Sequence, residues 1–142
     1  SDAWLGERWH ELSGLSEKHG NIEIEARKIP VRARGKSIVW FDFAALCEGP
    51  RGTGDYIEVA REFNTVLLGD IPAFDRNNED AARRFVNLID ELYDRHVNLV
   101  CTAATLPTDL YSGMRLQGAF ERTASRLIEM QSTEYLASEH KA

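Results

Sequence analysis

Two arginines in the last third of the chain have the spacing best suited to chemistry. Arg122 and Arg126 stand four residues apart in the segment FERTASRL, so a helix there places them on the same side, one turn apart. The predicted buried side of that helix consists of Phe120, Ala124, Leu127 and Gln131. Both arginines are therefore predicted to point outward together.

The planar guanidinium of an arginine can stabilise the negative charge that develops on a transferred phosphoryl group. Arg122 and Arg126 are therefore candidates for an arginine finger that acts in trans, on a nucleotide bound elsewhere. The alternative is a solvated helix face, in which Arg126 pairs with Glu129 three residues later. The spacing by itself favours the solvated face.

Polar residues end three segments that are predicted to be buried strands: Asp42, Asp70 and Thr102. In open parallel sheets, ligands gather at the carboxyl ends of the strands. Asp70 stands where a magnesium-binding carboxylate would, but no second acid follows it, which favours a loop acid. Thr102 stands where a nucleotide-sensing residue would contact a terminal phosphate. A threonine that satisfies local backbone groups explains this position equally well.

The tripeptide Gly35-Lys36-Ser37 resembles the end of the phosphate-loop signature G-x-x-x-x-G-K-[ST]. The first glycine of that signature would fall on Pro30, however, and the residues after Ser37 are predicted to form a strand. A phosphate loop instead needs a helix whose amino end faces the phosphate. We therefore predict a hairpin turn here. The segment GPRGTGDY, from Gly49, lacks a lysine and is also predicted to be a turn.

The histidines and cysteines lack the spacing of metal ligands, and no metal site is predicted. The four histidines lie in separate segments: His10, His19, His96 and His140. Cys47 and Cys101 stand far apart in apolar segments, which favours free, buried thiols in a reducing compartment. A thiol hydrolase that uses Cys101 is a remote alternative, since no His–Asp set has an evident claim on that thiol.

The strands that position these residues are predicted from runs of apolar residues. We expect strands near residues 37–43, 64–69 and 97–102, each rich enough in apolar residues to be buried on both faces. The connections between them are long enough for parallel pairing. The predicted fold class is therefore α/β, with a short parallel sheet and helices on its faces.

Two helices are predicted between these strands. The first is capped by Asp55 and runs through Phe63. The second begins after Asn78 and runs to about residue 95, with apolar residues that follow the helical period closely. Glu79 and Arg83 are expected to form an ion pair on its surface, because an acid four residues before a base is favourable.

The first part of the chain is predicted to contain a helix and an antiparallel ribbon. The helix spans Asp2–Leu12, and its apolar residues are Trp4, Leu5, Trp9 and Leu12. The ribbon consists of residues 21–25 and 29–34, and Pro30 suggests an edge position. We predict one domain over residues 1–142, in which residues 1–36 form this first part and residues 37–142 form the α/β module.

Composition excludes several classes of protein. The 142 residues carry a net charge of −6, which argues against a general surface for nucleic acids or anionic membranes. No apolar run approaches the ~20 residues that span a bilayer, and the first residues lack the order of a signal peptide. A soluble protein is therefore expected. Because the chain starts without methionine, an excised fragment is a reasonable expectation.

The chain contains several long motifs in order: CEGP followed by DYIEVAREF, then RRFVNLIDELYDRHVNLV, then FERTASRLIEMQSTEYL. These motifs resemble the carboxyl-terminal region of the ZapE-like cell-division ATPases, which are AAA+ P-loop ATPases with mitochondrial relatives. They occur in the family's order over residues 31–136. The resemblance implies an ATPase that uses ATP and Mg²⁺ to act on protein partners, such as the tubulin-like division protein FtsZ.

In that family the phosphate loop and the magnesium-binding acids lie upstream of the matching region. The resemblance therefore implies a carboxyl-terminal fragment, inactive alone, of a protein that forms homo-oligomers in the cytoplasm or, alternatively, in the mitochondrial matrix. Arg122 and Arg126 belong to the last motif, which strengthens the arginine-finger hypothesis. The alternative function is a non-catalytic protein-interaction module.

Overall fold

The central sheet is mixed and has five strands. The structure is a computed structural model that describes residues 2–13, 17–18, 21–24 and 27–141. The strands are β1 (Glu17–Lys18), β2 (Asn21–Ile24), β3 (Arg27–Pro30), β4 (Ala33–Arg34), β5 (Ile38–Asp42), β6 (Thr65–Ile71) and β7 (Asn98–Ala103). The helices are α1 (Asp2–Ser13), α2 (Phe43–Cys47), α3 (Thr53–Glu62), α4 (Glu79–Asp94), α5 (Gln117–Glu129) and α6 (Thr133–Ala137). A 3-10 turn spans Pro107–Asp109. Among the described residues, none of the helices has the length and apolar character needed to cross a membrane.

The strands of the sheet follow the order β1-β4-β5-β6-β7. The three predicted strands are β5, β6 and β7, and they pair in parallel with Val39 beside Val66 and Val66 beside Leu99. The α/β fold class is therefore confirmed. Strands β4 and β1 extend the sheet in the antiparallel direction, and the predicted parallel sheet did not include them.

The predicted antiparallel ribbon is confirmed as β2 paired with β3, but its second strand is shorter than predicted because residues 29–34 divide between two sheets. Strand β3 ends at Pro30 and pairs with β2, whereas Ala33–Arg34 joins the central sheet. Proline cannot donate a ladder hydrogen bond, so pairing changes partner after it. The Gly35 N–H donates to Ile38 O at 2.8 Å, and a strand follows. The predicted hairpin turn at residues 35–37 is thereby confirmed.

Helix α1 covers one face of the sheet with only part of its apolar surface. Leu5 and Trp9, which lie one turn apart, are buried against Trp40 and Leu67. The rings of Trp9 and Trp40 lie 6.4 Å apart between centroids. The helix was predicted correctly, but its apolar residues divide between two sides, and Trp4 stays exposed.

The main core lies on the other face of the sheet, under helices α2 to α5. Its centre is an aromatic cluster in which the centroids of contacting rings lie 5.5–6.1 Å apart. The cluster consists of Phe43, Phe74, Phe85 and Phe120. The sequence placed Phe43 at the end of a strand, whereas it begins helix α2. The helix turns the ring into the core, where it meets aromatic partners from distant parts of the chain.

Helix α3 begins three residues earlier than the cap predicted at Asp55 implies. Its first residue is Thr53, and Asp55 lies inside the first turn rather than before it. The Asp55 carboxylate is buried and accepts a hydrogen bond from the Gly52 N–H at 2.8 Å. Asp55 therefore still caps the helix, because it satisfies a backbone donor that the helix itself leaves unpaired.

Replacing Leu5 by alanine should destabilise the fold by about 2–5 kcal/mol, since it removes buried apolar atoms and leaves a cavity between α1 and the sheet. Leu12→Ala on the same helix is the matched control, because Leu12 is 53% exposed; its effect should stay within about 0.5 kcal/mol. Urea denaturation of both variants measures the difference. Equal losses of stability would contradict the burial of Leu5.

Candidate functional site

The carboxyl ends of the three parallel strands bring Asp42, Asp70 and Thr102 to one edge of the sheet, as predicted. The Thr102 hydroxyl accepts a hydrogen bond from the Asp70 N–H at 2.9 Å. Thr102 therefore satisfies a local backbone group, in agreement with the simpler of its two interpretations. A cavity of about 270 Å³ lies beside this bond and is lined by Asp70, Pro72, Thr102 and Ala104.

Asp70 was expected in a loop, but it lies inside strand β6, which continues to Ile71. Its φ of 63° is in the left-handed region, which aspartate adopts more readily than most residues do. The pairing of β6 with β7 shifts between Leu68 and Ile71, and Asp70 lies in that irregularity. The irregularity directs the Asp70 N–H at Thr102 instead of at a backbone carbonyl.

A third carboxylate, that of Asp2, joins Asp42 and Asp70 at the same edge, and the sequence did not connect it with them. Oxygen atoms of Asp2, Asp42 and Asp70 lie within 4.8 Å of one another. The Arg32 guanidinium donates to Asp42 Oδ1 at 3.2 Å and to Asp2 Oδ2 at 3.3 Å, and it stacks 4.8 Å above the Trp40 ring. Carboxylates suit a hard cation, but Arg32 already offsets two of them. The cluster therefore serves as an ion-pair network that joins α1 to the sheet.

Helix α5 carries both candidate arginines, and its buried side differs from the prediction at one position. The buried residues of the helix are Phe120, Thr123, Ala124 and Leu127. The helix ends at Glu129, so Gln131 lies beyond it and is exposed, and Met130 is buried instead. The helical period is thus followed only as far as the helix itself extends.

Arg126 was predicted to point outward, but its side chain points to helix α4. Its guanidinium forms an ion pair with Asp90 of helix α4 and lies 4.8 Å from the centroid of the Tyr93 ring. Glu129, the partner expected for Arg126, instead accepts a hydrogen bond from the Tyr93 hydroxyl at 2.7 Å. That hydrogen bond raises the pKa of Tyr93 and so keeps its phenol protonated. We call these four residues the α4–α5 clasp: Asp90, Tyr93, Arg126 and Glu129.

Arg122 has a different environment, although it is only one helical turn from Arg126. It is exposed, and it forms no hydrogen bond or ion pair with any residue in the described part of the chain. The structure therefore separates the two arginines. Arg126 contacts α4, and Arg122 is exposed to solvent.

A second polar network fixes the loop that leads into α5. Glu79 accepts hydrogen bonds from the Tyr111 hydroxyl at 2.5 Å and from the N–H groups of Met114 and Arg115, each at 3.0 Å. The Tyr111 hydroxyl in turn accepts from the Leu116 N–H at 2.8 Å. We call these contacts the loop lock. The lock orients the start of α5 and hence the helix that carries the arginines.

Glu79 is a residue whose role the sequence did not predict. It was expected to pair with Arg83 on the surface of α4, but it is buried and its carboxylate faces the loop. The hydrogen bond from Tyr111, with those from Met114 and Arg115, lowers the pKa of Glu79 and favours its charged form. The only signal in the sequence was an acid in the first turn of a helix.

The two cysteines are free, as predicted. Burial raises the pKa of the Cys101 thiol to about 11 and that of the Cys47 thiol to about 12. Because the thiolate is the nucleophilic form, both thiols are poorly suited to attack a substrate at neutral pH. These environments disfavour the thiol-hydrolase alternative.

The family follows from comparison with known proteins. A family model described as AFG1-like ATPase matches residues 2–139. The chain belongs to the AFG1-like ATPase family. This match includes both polar networks of α5 and the whole central sheet, so the AFG1-like region and the fold described above coincide.

Two relatives of this AFG1-like chain are much longer than the chain itself. It is 40% identical to "Cell division protein ZapE" of Escherichia coli (strain K12) over 141 residues, which are 99% of this chain and 38% of ZapE. It is 30% identical to "Lactation elevated protein 1 homolog B" of Danio rerio over 149 residues, which cover 82% of this chain and 30% of that protein. The chain thus spans well under half the length of these relatives. No solved structure matches it.

Replacing Gly113 by alanine should loosen the loop lock of this AFG1-like chain. A Cβ atom there would lie 2.7 Å from the Tyr111 hydroxyl and 2.8 Å from Glu79 Oε1, so at least one of these groups must move. We expect a loss of about 1–3 kcal/mol in unfolding free energy. Gly118→Ala is the control, because no atom lies within 4 Å of its Cβ position; it should be neutral or slightly stabilising. Similar values for both variants in urea denaturation would contradict the lock.

The lowered pKa of Glu79 makes the loop lock dependent on pH. An unfolded glutamate titrates near ~4.3, so the stability that Glu79 contributes is present above that pH and is lost as pH falls through the lower folded pKa. Glu79→Gln should lower the Tm at neutral pH, because its single acceptor oxygen cannot serve three donors. The Tm difference from the unmodified chain should shrink as the pH falls below the pKa of the unfolded glutamate and through the lower folded pKa of Glu79. A difference independent of pH would contradict this assignment.

Proposed function

We propose that this chain is the carboxyl-terminal α/β module of a longer AFG1-like ATPase, which couples ATP hydrolysis to the remodelling of protein partners. Membership of the family supports the ATPase, and the share of the E. coli relative that the chain covers supports a longer protein. By analogy with the name of that relative, the partner belongs to the division machinery. The resemblance of the motifs to the ZapE-like ATPases makes an FtsZ-like protein the proposed partner. A bacterial protein of this kind acts in the cytoplasm, and an organellar one acts in the mitochondrial matrix.

In this proposal ATP and Mg²⁺ are held by residues outside the chain. Gly35-Lys36-Ser37 forms a hairpin turn that is followed by strand β5, so it lacks the helix whose amino end would face a phosphate. The isolated chain is therefore inactive as an ATPase. It contributes to hydrolysis only when it is next to a nucleotide that another part of the assembly binds.

The observation that carries this proposal is the exposure of Arg122 on a helix that two polar networks hold in place. An arginine finger needs a cation that is rigidly placed yet free to meet a neighbour's phosphate. In the described part of the chain, Arg122 is both rigidly placed and free to meet a phosphate. It is exposed, and α5 is joined to α4 through the clasp and the loop lock. Because the nucleotide lies on another subunit, the full-length protein forms homo-oligomers.

The same proposal assigns a nucleotide-sensing role to Thr102. Its hydroxyl accepts from the Asp70 N–H and borders the 270 Å³ cavity at the carboxyl edge of the sheet. A hydroxyl can donate one hydrogen bond while it accepts another. Its proton is therefore available to a terminal phosphate that enters the cavity, which is the nucleotide-sensing role proposed for this position.

The test is Arg122→Ala in the longer protein that contains this chain. Loss of the finger should lower kcat for ATP by ~10³-fold or more and leave KM nearly unchanged, because the finger acts mainly on the transition state. Arg61→Ala is the matched control, since Arg61 is also exposed on a helix but lies on α3. Unchanged turnover in the Arg122→Ala protein would overturn the finger.

A non-catalytic interaction module is the second candidate, and exposed apolar residues near α5 favour it. Leu106, Met114 and Ile128 are large, apolar and more than half exposed. Ile128 borders a groove of about 440 Å³ that runs between α5 and the 3-10 turn. Exposed apolar groups around a groove are typical of protein contacts. If Arg122→Ala lost partner binding and kept full turnover, this candidate would replace the first.

A further inference from the structure

We infer that Arg126 is a positioning residue rather than a second finger. Held by Asp90 and Tyr93, it fixes helix α5 in the rotation that presents Arg122 to the nucleotide. This inference rests on the proposed function, because it assigns different roles to the two arginines of the motif. It also names Asp90 and Tyr93 as residues on which the finger depends.

The surroundings of Arg126 oppose a direct contact with phosphate. Its side chain is 24% exposed and that of its partner Asp90 is 28% exposed, so the ion pair is largely shielded from water. One face of the guanidinium is covered by the Tyr93 ring. To reach a phosphate, Arg126 would have to leave both partners, and a half-buried carboxylate would remain without its counter-charge.

The clasp restricts the orientation of α5 through two contacts rather than one. Asp90 meets Arg126, and three residues later on each helix Tyr93 meets Glu129 through a 2.7 Å hydrogen bond. A single contact would allow the helix to turn about its axis. Two contacts at matched spacing restrict both the rotation and the sliding of α5 against α4, because they lie on facing sides of the two helices.

The clasp acts on Arg122 because the two arginines share one helix face. Residues four apart in an α-helix differ by about 40° in direction around the axis. When Arg126 points to α4, Arg122 lies one turn away and slightly to the side, where it is exposed. A rotation of α5 that freed Arg126 would also turn Arg122 away from its present direction.

Lysine substitution of each arginine in the longer protein separates the roles. Lysine keeps the charge but cannot reproduce the planar fork of arginine. Arg126→Lys can still pair with Asp90, so kcat for ATP should fall less than about fivefold. In the Arg122→Lys protein, kcat for ATP should fall more than a hundredfold, and KM for ATP should stay nearly unchanged. Equal large losses in both variants would overturn the positioning role and leave the finger hypothesis intact.

A charge exchange provides the second test. Arg126→Asp alone places like charges together, and kcat should fall at least tenfold at a temperature well below the variant's own Tm. Combining Arg126→Asp with Asp90→Arg restores the ion pair with its two charges exchanged and should recover most of the turnover. Recovery would exclude direct contact between Arg126 and phosphate, since the double variant has no cation at position 126.

Each outcome has a distinct meaning. If the double variant folds but stays as inactive as Arg126→Asp, the positioning role is wrong. If the double variant does not fold, as judged by its thermal transition, the lysine pair decides by itself. If Arg122→Lys and Arg126→Lys both retain full turnover, the arginine-finger part of the proposed function fails and the inference fails with it.

Discussion

The burial of strand β6 on both faces is the constraint on which the rest of the structure depends. Val66, Leu67 and Leu68 have no exposed surface, because Leu67 contacts the α1 side and its two neighbours face the main core. A strand in this position must be apolar throughout and must have a strand on each side. Parallel pairing with β5 and β7 then places three polar strand ends, including Asp42 and Thr102, at one edge.

Helix α5 is placed by a different kind of force. Apolar packing of its inner side against the core is strong but has little directional preference, so it sets the depth of the helix more than its rotation. Hydrogen bonds and ion pairs require particular distances and angles. The loop lock at Glu79 and the clasp at Asp90 are directional contacts of this kind, and both use residues of α4. For this reason one arginine of the motif is engaged and the other is exposed.

The elements that the sequence predicted well are those with a strong local signal. The three parallel strands follow from continuous apolar runs, α4 from its helical period, and the hairpin at Gly35-Lys36-Ser37 from Pro30 and the strand that follows. Errors occurred where a neighbour in space decides between local alternatives. Phe43 begins a helix because aromatic rings from elsewhere surround it, and Asp70 stays in a strand because Thr102 accepts its N–H.

The sequence by itself determined the α/β class, the exclusion of a phosphate loop at residues 35–37 and membership of the AFG1-like ATPase family. All three depend on the order and period of residues along the chain. Only the tertiary structure decided that Arg126 is paired with Asp90, 36 residues before it, and that Glu79 accepts hydrogen bonds from the loop before α5. Such contacts act over a few ångströms between distant parts of the chain, and periodicity carries no information about which side chains the fold brings within that range.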